Sequence, residues 1–254
     1  MRQLNGKQFP LCEQLNSLLA NGLSSHGGHA IRFVPSTALD NSAYEQRIYS
    51  TGQISTRPDN WHDLFNAMVW MRFPQIKSAM NAQHHQGWAQ SSKGSRGELR
   101  DALTLFDECG VIVISQHEEL LTALSKRQWP AAFQKLRSIW DQDFQLAIIG
   151  HAMLEKYLSP YKSMTAKALL IQFTPPSGNM SRDDLLAFLD HEIADQLLAG
   201  RMLTKPACLA PLPLAGVPGW WPYSKQDDQF YDDTQVFRPP AADLAPTPIC
   251  RLEQ

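Results

Sequence analysis

The residues best suited to chemistry lie between Arg57 and Trp70, where polar side chains stand among large aromatic ones. If this stretch is helical, His62, Asn66 and Trp70 share one face. An imidazole and an amide beside an indole ring can bind a small molecule, because the ring excludes water while the polar groups orient the ligand. Arg57, Asn66 and Trp70 are therefore candidates for ligand binding, and His62 is a candidate for catalysis.

Asp63 follows His62 directly, and adjacent His and Asp side chains can both ligate one metal ion, as in metal-dependent phosphohydrolases. The full motif of those enzymes needs further histidines, so a single His-Asp pair is a weak signal. In the alternative reading, Asn60 and Asp63 cap the helix, while His62 and Asn66 bind backbone groups of the preceding turn. Both readings stay open.

A second polar face belongs to the predicted helix from residue 98 to residue 108. Asp101, Thr104 and Glu108 follow one another at helical spacing, and carboxylates are the ligands that Mg²⁺ and Ca²⁺ prefer. We therefore count Asp101 and Glu108, together with His62 and Asp63, as candidate metal ligands. An ordinary solvated face with neighbouring arginines has the same appearance.

His151 and Glu155 form a third candidate pair, one helical turn apart in an apolar stretch. A carboxylate at this spacing can orient an imidazole for metal binding or for acid-base catalysis, although a buried structural histidine shows the same pattern. Gly150 would allow close approach of another element. His151 completes the candidate catalytic set with His62, Asp63 and Asp101, and Lys162 could meet an anionic ligand.

The C-terminal region adds Trp220 and Trp221, which lie between prolines and are therefore held stiffly. They suit a lid or ligand-binding role, but they can equally anchor an extended segment to the rest of the protein. Asp232 could contribute an oxygen ligand to the same cleft.

The elements that must position these residues are mainly helices, to judge from hydrophobic spacing. Two apolar runs, at 111–114 and 168–173, predict buried strands, and a shorter run predicts a strand at 30–34. We expect an α+β fold that is mostly helical, with a small central β-sheet surrounded by about seven helices. The predicted helices span 10–21, 60–73 with a kink or restart at Pro74, 98–108, 117–126, 129–139, 141–158 and 181–200.

The length of 254 residues suits one large domain or two small ones. We expect a single globular domain over residues 1–240, in which 206–240 forms an extended wrap rich in proline and aromatic residues. Residues 241–254 are expected to form a loose tail. A dinucleotide-type glycine motif and a phosphate-binding P-loop are both missing, so a nucleotide-binding fold has no support.

Composition excludes several classes of protein. The 23 basic and 25 acidic side chains nearly cancel, so a nucleic-acid partner is not expected. No apolar run approaches the roughly 20 residues of a membrane span, and no signal-peptide core follows the N-terminus, which favours a cytoplasmic location. The four scattered cysteines (Cys12, Cys109, Cys208 and Cys250) form no disulfide or zinc-ribbon pattern and are expected to be free.

Several longer motifs carry a family resemblance. They are Thr56–Ala67, Arg100–Glu108, Gly150–Ala152, Gly219–Pro222 and Phe230–Thr234. Through them the chain resembles, from about residue 8 to residue 240, an uncharacterised and mainly proteobacterial family catalogued as domain of unknown function number 3025. The resemblance implies a single-domain bacterial protein. It implies no activity, cofactor or catalytic residue.

The leading hypothesis is a metal-dependent hydrolase that acts on a small or phosphorylated substrate, with a divalent metal as cofactor. The alternative is a non-catalytic module that binds a small ligand or a peptide, in which the marked polar residues are structural. The enzyme hypothesis requires His62 or Asp63 to lie within roughly 5 Å of His151 or of carboxylates from helix 98–108, in one open cleft.

Overall fold

The computed structural model of the protein describes residues 9–19, 22–38, 43–90, 97–142, 145–174, 180–222 and 225–252. In this part of the chain the strands form a two-stranded and a five-stranded sheet. They are β1 (Arg32–Pro35), β2 (Gln53–Thr56), β3 (Gly110–Ser115), β4 (Gln145–Ile148), β5 (Thr165–Gln172), β6 (Ala210–Pro213) and β7 (Ile249–Arg251).

Helices account for most of the remaining regular structure, which confirms the predicted α+β class with a small sheet. They are α1 (Cys12–Ser17), α2 (Tyr44–Thr51), α3 (Trp61–Arg72), α4 (Pro74–Gln90), α5 (Glu98–Cys109), α6 (Glu118–Ser125), α7 (Arg137–Gln142), α8 (His151–Lys156) and α9 (Arg182–Leu198). A π-helix spans Ala131–Lys135, and short 3₁₀ turns occupy Ser36–Ala38, Pro206–Cys208, Leu214–Gly216 and Asp228–Asp232.

The five-stranded sheet is built on β3 and β5, which run parallel with Ile112 opposite Leu169. Their residues are apolar on both faces because each face is covered. Val111 belongs to the cluster around α6 and the π-helix, whereas Ile112 belongs to the cluster around α5 and α9. The β4 strand lies antiparallel to the outer edge of β3.

The opposite edge of β5 is shared by two strands. Residues 165–168 pair with β6 in antiparallel fashion, and residues 170–172 pair with β7 in parallel fashion. Residues 241–252 therefore differ from the loose tail expected over 241–254, whose last two residues lie outside the described part of the chain. Thr247 donates its backbone N–H to the Ser125 carbonyl, and Leu252 donates to the Gln172 carbonyl. A three-residue strand has no periodicity of its own, so only the free edge of β5 specifies it.

The predicted helix over 141–158 is wrong in its first half, which contains β4. The short apolar run at Leu146–Ile149 fits a buried strand as well as a buried helix, and pairing with β3 decides between them. Apart from the last two residues of α7, only α8 is helical among the described residues of this range, so His151 is the first residue of a short helix instead of the middle of a long one.

A smaller layer at the N-terminal side holds β1 and β2, which pair in parallel around α2. Their apolar side chains pack with Trp70 of α3 in a separate core cluster that includes Phe33, Ile48 and Ile54. This layer brings α2 and β2 against α3 and α4. None of the helices in the described part of the chain combines the length and apolar character that a membrane crossing requires.

Candidate metal centre

Three helices converge on a cavity of about 480 Å³ between the N-terminal layer and the central sheet. His62 comes from the first turn of α3, Glu108 from the last turn of α5, and His151 from the start of α8. One ligand atom of each side chain lies within 4.8 Å of the other two. His151 is buried, while His62 and Glu108 are half-buried and reach the cavity.

The two histidines face each other through their outer nitrogens. The Nε2 atoms of His62 and His151 are 2.9 Å apart, and the rings meet nearly at right angles, at 76°. The Oε2 atom of Glu108 lies 3.9 Å from His151 Nε2. A tetrahedral zinc ion with donors at 2.0–2.1 Å would space those donors at about 3.3 Å. The observed distances lie on either side of this value, so small side-chain rotations would complete the site.

Each imidazole has a carboxylate near its other nitrogen. His62 Nδ1 lies 3.1 Å from Oε2 of Glu155, and His151 Nδ1 lies 3.7 Å from Oδ2 of Asp107. The second distance exceeds a hydrogen bond, and this buried Nδ1 has no hydrogen-bond partner among the described residues. A carboxylate at Nδ1 keeps the proton there and leaves Nε2 with its lone pair, as in many zinc sites.

If both Nδ1 atoms carry their protons, two Nε2 lone pairs face each other at 2.9 Å and repel. A positive charge between them, either a metal ion or a proton, removes this repulsion. In this tautomer the pair requires a cation between the two nitrogens, whereas an Nε2–H on His151 would donate an ordinary hydrogen bond to His62 Nε2.

The start of α3 holds His62 toward the cavity. Asn60 caps the helix by accepting the backbone N–H of Asp63 at 3.0 Å. The Asp63 carboxylate in turn accepts the backbone N–H of Arg57 at 2.6 Å and binds its guanidinium at 3.0 and 2.7 Å. Asp63 thus ties the preceding turn to the helix, and both of its oxygens are engaged.

Gly150 allows α8 to approach the junction of α5 and β3. Its backbone N–H donates to the Gly110 carbonyl at 2.8 Å. A Cβ at position 150 would lie 2.5 Å from the Gly110 nitrogen and 2.6 Å from Cys109 backbone atoms, which no side chain tolerates. The close approach places His151 beside the end of α5, where Glu108 lies.

A buried polar network lies beneath His151. Lys77 of α4 is only 5% exposed and pairs with Asp107, the carboxylate nearest His151 Nδ1. The Lys77 ammonium also donates to Asn66 Oδ1 at 3.0 Å, and Asn66 Nδ2 donates to the Tyr44 hydroxyl at 2.8 Å. The network runs from His151 back to the wall of the cavity, because Tyr44 and Asn66 both line it.

Burial sets the protonation of the centre. It lowers the pKa of His151 to about 4, which the nearby Lys77 ammonium reinforces and the Asp107 carboxylate opposes. Burial also raises the pKa of Glu108. For Asp107, burial favours the neutral acid, but the Lys77 ammonium and His151 outweigh it and the net pKa is lowered. His151 is therefore neutral at pH 7, and Asp107 is ionised.

The structure brings together some of the residues that the sequence marked and separates others. His62, Glu108 and His151 meet, and Arg57, Asp63 and Asn66 line the same cavity. Asp101 is exposed on α5 and does not line it, because Asp101 lies about 10 Å along the helix axis from Glu108 on the same face. Glu155 binds His62, not the His151 on its own helix.

The remaining candidates do not line the cavity either. Trp70 is buried, and its ring centroid lies 5.5 Å from the Lys77 ammonium, so it packs against Lys77 and does not face the cavity. Lys162 pairs with Asp233 at 2.7 Å. The other three candidates lie in the C-terminal region. Trp220 and Trp221 pack against the core cluster around the π-helix, and Asp232 is exposed.

Sequence reasoning missed Asp107 and the function of Lys77. Lys77, Asn81 and His84 repeat along one side of α4, and all three are buried. A polar stripe usually indicates a solvated face, so burial of the stripe could be recognised only once α2, α3 and α5 were seen to cover it.

Comparison with known proteins identifies the family alone. A family model described as "Protein of unknown function (DUF3025)" matches residues 31–241. No curated protein and no solved structure matches the chain.

Proposed function

Because this chain belongs to the DUF3025 family of proteins of unknown function, we propose its function from the site itself. It is a hydrolase that uses one divalent metal ion, of the zinc type, to act on a small or phosphorylated substrate. The observation that carries the proposal is the convergence of His62 Nε2, His151 Nε2 and the Glu108 carboxylate at the cavity.

The donor set fits this chemistry. Two imidazoles and one carboxylate are a ligand set of catalytic zinc sites, in which the fourth position is left to water or substrate. A metal bound there would supply an activated water molecule near neutral pH. The cavity of about 480 Å³ beside the donors has the size of a small-molecule site.

The other lining residues suit a polar substrate. Arg57 and Arg100 bring guanidinium groups, which bind carboxylates and phosphates through paired hydrogen bonds. The Tyr44 hydroxyl and Thr104 add neutral hydrogen-bonding groups to the same wall. These residues would orient the substrate, and the proton on His62 Nδ1 would remain with Glu155.

Metal analysis tests the proposal. Protein purified without chelator is analysed for bound metals, and metal-stripped protein is titrated with Zn²⁺, Mn²⁺ and Mg²⁺. We expect one equivalent to bind wild type and none to bind His62→Ala. His191→Ala serves as the control, because His191 is an exposed histidine on α9 outside the cavity. Failure of every metal to bind wild type would contradict the proposal.

Activity is measured on the same samples with chromogenic carboxylate and phosphate esters. Turnover that requires metal and is lost in His62→Ala supports a hydrolase. Metal binding without turnover of any ester would leave a metal centre and contradict the enzymatic part of the proposal.

A non-catalytic ligand site is the second candidate. The 2.9 Å distance between the Nε2 atoms equals that of a hydrogen bond and is shorter than a tetrahedral metal would set. A hydrogen bond in which the Nε2–H of one histidine donates to Nε2 of the other satisfies the same groups without a metal. Protein that binds no metal but binds small molecules in a His62-dependent way would favour this candidate.

We also propose that the protein is bacterial and cytoplasmic. All four cysteines are free in the structure, as is usual in a reducing compartment. The bacterial origin follows only from the resemblance.

A further inference from the structure

A second cavity, larger than the one at the candidate metal centre, lies beside strands β5 and β6 of the five-stranded sheet. Its volume is about 620 Å³. The β5–β6 pair forms one wall, the chain after α6 forms another, and residues 235–247 cover part of it. Among the residues that the structure describes, none lines both cavities.

The charged residues that line this cavity all carry the same sign. They are Arg127, Lys167 and Arg238, with no acidic residue among the described lining residues. In a chain with 23 basic and 25 acidic side chains, an all-cationic lining differs from the average surface. Within the described part of the chain, none of the three forms an ion pair. Their charges are therefore available to an anion from outside.

Arg127 shows the clearest sign of a missing partner. Its Nε atom is buried and has no hydrogen-bond partner among the described residues. Buried donors are normally satisfied, and an unsatisfied one destabilises the fold. The Nε atom is itself closed to solvent, so a carboxylate or phosphate in the cavity would accept from the outer Nη1 and Nη2 groups of this guanidinium, in the paired geometry that arginine favours.

The backbone at Arg127 is also unusual. Helix α6 ends in a Schellman motif, in which Gln128 N–H binds Ala123 O at 2.8 Å and Arg127 N–H binds Leu124 O at 3.0 Å. Arg127 has φ 55°, the left-handed conformation in which glycine is preferred at this position. The chain thus places an arginine where glycine would be less strained, and strain of this kind is concentrated at ligand sites.

The rest of the lining is apolar or neutral. Leu209, Val236 and Leu244 join a row of prolines, and Trp129 fixes the rim because its indole N–H donates to the Arg238 carbonyl at 2.7 Å. Ser163 and Thr165 add hydroxyl groups beside Lys167. Leu209 and Val236 are themselves nearly buried, and the lining exposes more polar than apolar surface. An occupant of this cavity therefore needs an acidic group for the cations, hydrogen-bonding groups for the hydroxyls and only a small apolar part.

We propose that this cavity is a binding site for a small organic anion, a carboxylate or phosphate ester. The acidic group is held by Arg127 and Lys167. The site is independent of the metal centre, since the two share no residue.

Anilinonaphthalene sulfonate, a fluorescent organic anion with an apolar body, is the direct probe for the full-length protein. We expect saturable binding to wild type that weakens at least about tenfold in Arg127→Gly and in Lys167→Gln. Lys126→Gln is the matched control, because Lys126 is the exposed neighbour of Arg127 outside the cavity. His62→Ala should bind the probe as wild type does, which separates this site from the metal centre.

Arg127→Gly also controls for folding. Glycine suits the left-handed position, so its Tm should stay within about 3 °C of wild type while probe binding is lost. Equal binding of the probe by wild type, Arg127→Gly and Lys167→Gln would overturn the proposal. So would equally tight binding of phenylnaphthylamine, the uncharged analogue of the probe.

Competition then identifies the acidic group. Displacement of the probe by octanoate indicates a carboxylate ligand, and displacement by phenyl phosphate indicates a phosphate ester. Displacement by neither would contradict the proposed ligand class.

Discussion

His62 and His151 are 89 positions apart in the chain, yet their Nε2 atoms lie 2.9 Å apart. Each ring reaches this point from the first turn of its own helix, and each has a carboxylate near its Nδ1 atom. In the proposed site, Glu108 would bind the metal directly beside these two nitrogens, whereas Glu155 would act only by orienting His62.

Two glutamates of the centre should therefore behave differently. Glu108→Gln removes a donor and should abolish tight metal binding, whereas Glu155→Gln acts only through His62 and should weaken it about 10–100-fold. Titration of metal-stripped protein with Zn²⁺ measures both. Glu119→Gln, a glutamate on α6 that contacts only His117 among the ion pairs, should bind as wild type does. A larger loss of Zn²⁺ affinity in Glu155→Gln than in Glu108→Gln would contradict the assignment of Glu108 as the metal ligand.

The low pKa of His151 predicts a pH dependence of stability. In the fold this pKa is about 4, below the ordinary value of 6.5. The unfolded chain therefore binds a proton first as the pH falls, and the fold loses about 3 kcal/mol of unfolding free energy between pH 6.5 and pH 4. The stabilisation is complete above pH 6.5.

His151→Phe tests this expectation, because phenylalanine does not titrate. Urea unfolding in EDTA at pH 7 and pH 4.5 should show a smaller loss in the variant than in wild type. Identical pH profiles for the two proteins would mean that the imidazole does not titrate as its burial requires.

Lys77→Met should strongly destabilise the protein. It leaves the Asp107 carboxylate ionised without its partner in a mostly buried position, which typically reduces the unfolding free energy by about 3–5 kcal/mol. The double variant Lys77→Met/Asp107→Leu should recover part of this loss. Denaturant unfolding measures all three proteins, with Arg251→Gln as a control that removes an exposed ion pair with Glu118 and should change little. Equal stability of Lys77→Met and wild type would mean that the buried pair is not formed in solution.

Gly150→Ala should separate α8 from the α5–β3 junction. The added Cβ meets backbone atoms at 2.5–2.6 Å, so the chain must shift and His151 must move with it. We expect a lower Tm and weaker metal binding in the same variant, measured by calorimetry and by Zn²⁺ titration. An unchanged metal affinity would show that His151 does not depend on this contact.

The sequence predicts the fold well where the residues that determine an element, such as an apolar run or a helix cap, lie within the element itself. The apolar run at 111–114 becomes β3, Asn60 caps α3, and Ser181 caps α9 by accepting the backbone N–H of Asp184. These features depend on residues within one or two turns of each other. The predictions fail for β4 and β7, whose identity depends on partners in β3 and β5.

The same distinction applies to the candidate site. His62 and His151 stand out by residue type, and Gly150 correctly indicates a close approach. Asp63 and Asp101 look equally suitable in the sequence. In the structure Arg57 pairs with Asp63, and Asp101 lies two helical turns from Glu108, at the exposed start of α5. Which carboxylate faces a histidine depends on how α3, α5 and α8 pack, and no local pattern encodes that packing.

The shared edge of β5 has a consequence for synthesis on the ribosome. β5 ends at Gln172, and its partner β7 begins at Ile249, roughly 80 residues later. At 5–20 residues per second, the backbone of Leu170 and Ile171 waits roughly 4–16 s for its partner strand. During that interval an apolar strand edge is open to other nascent chains. We expect the newly made chain to depend on chaperones at this stage, even though every ligand of the metal centre has already been translated.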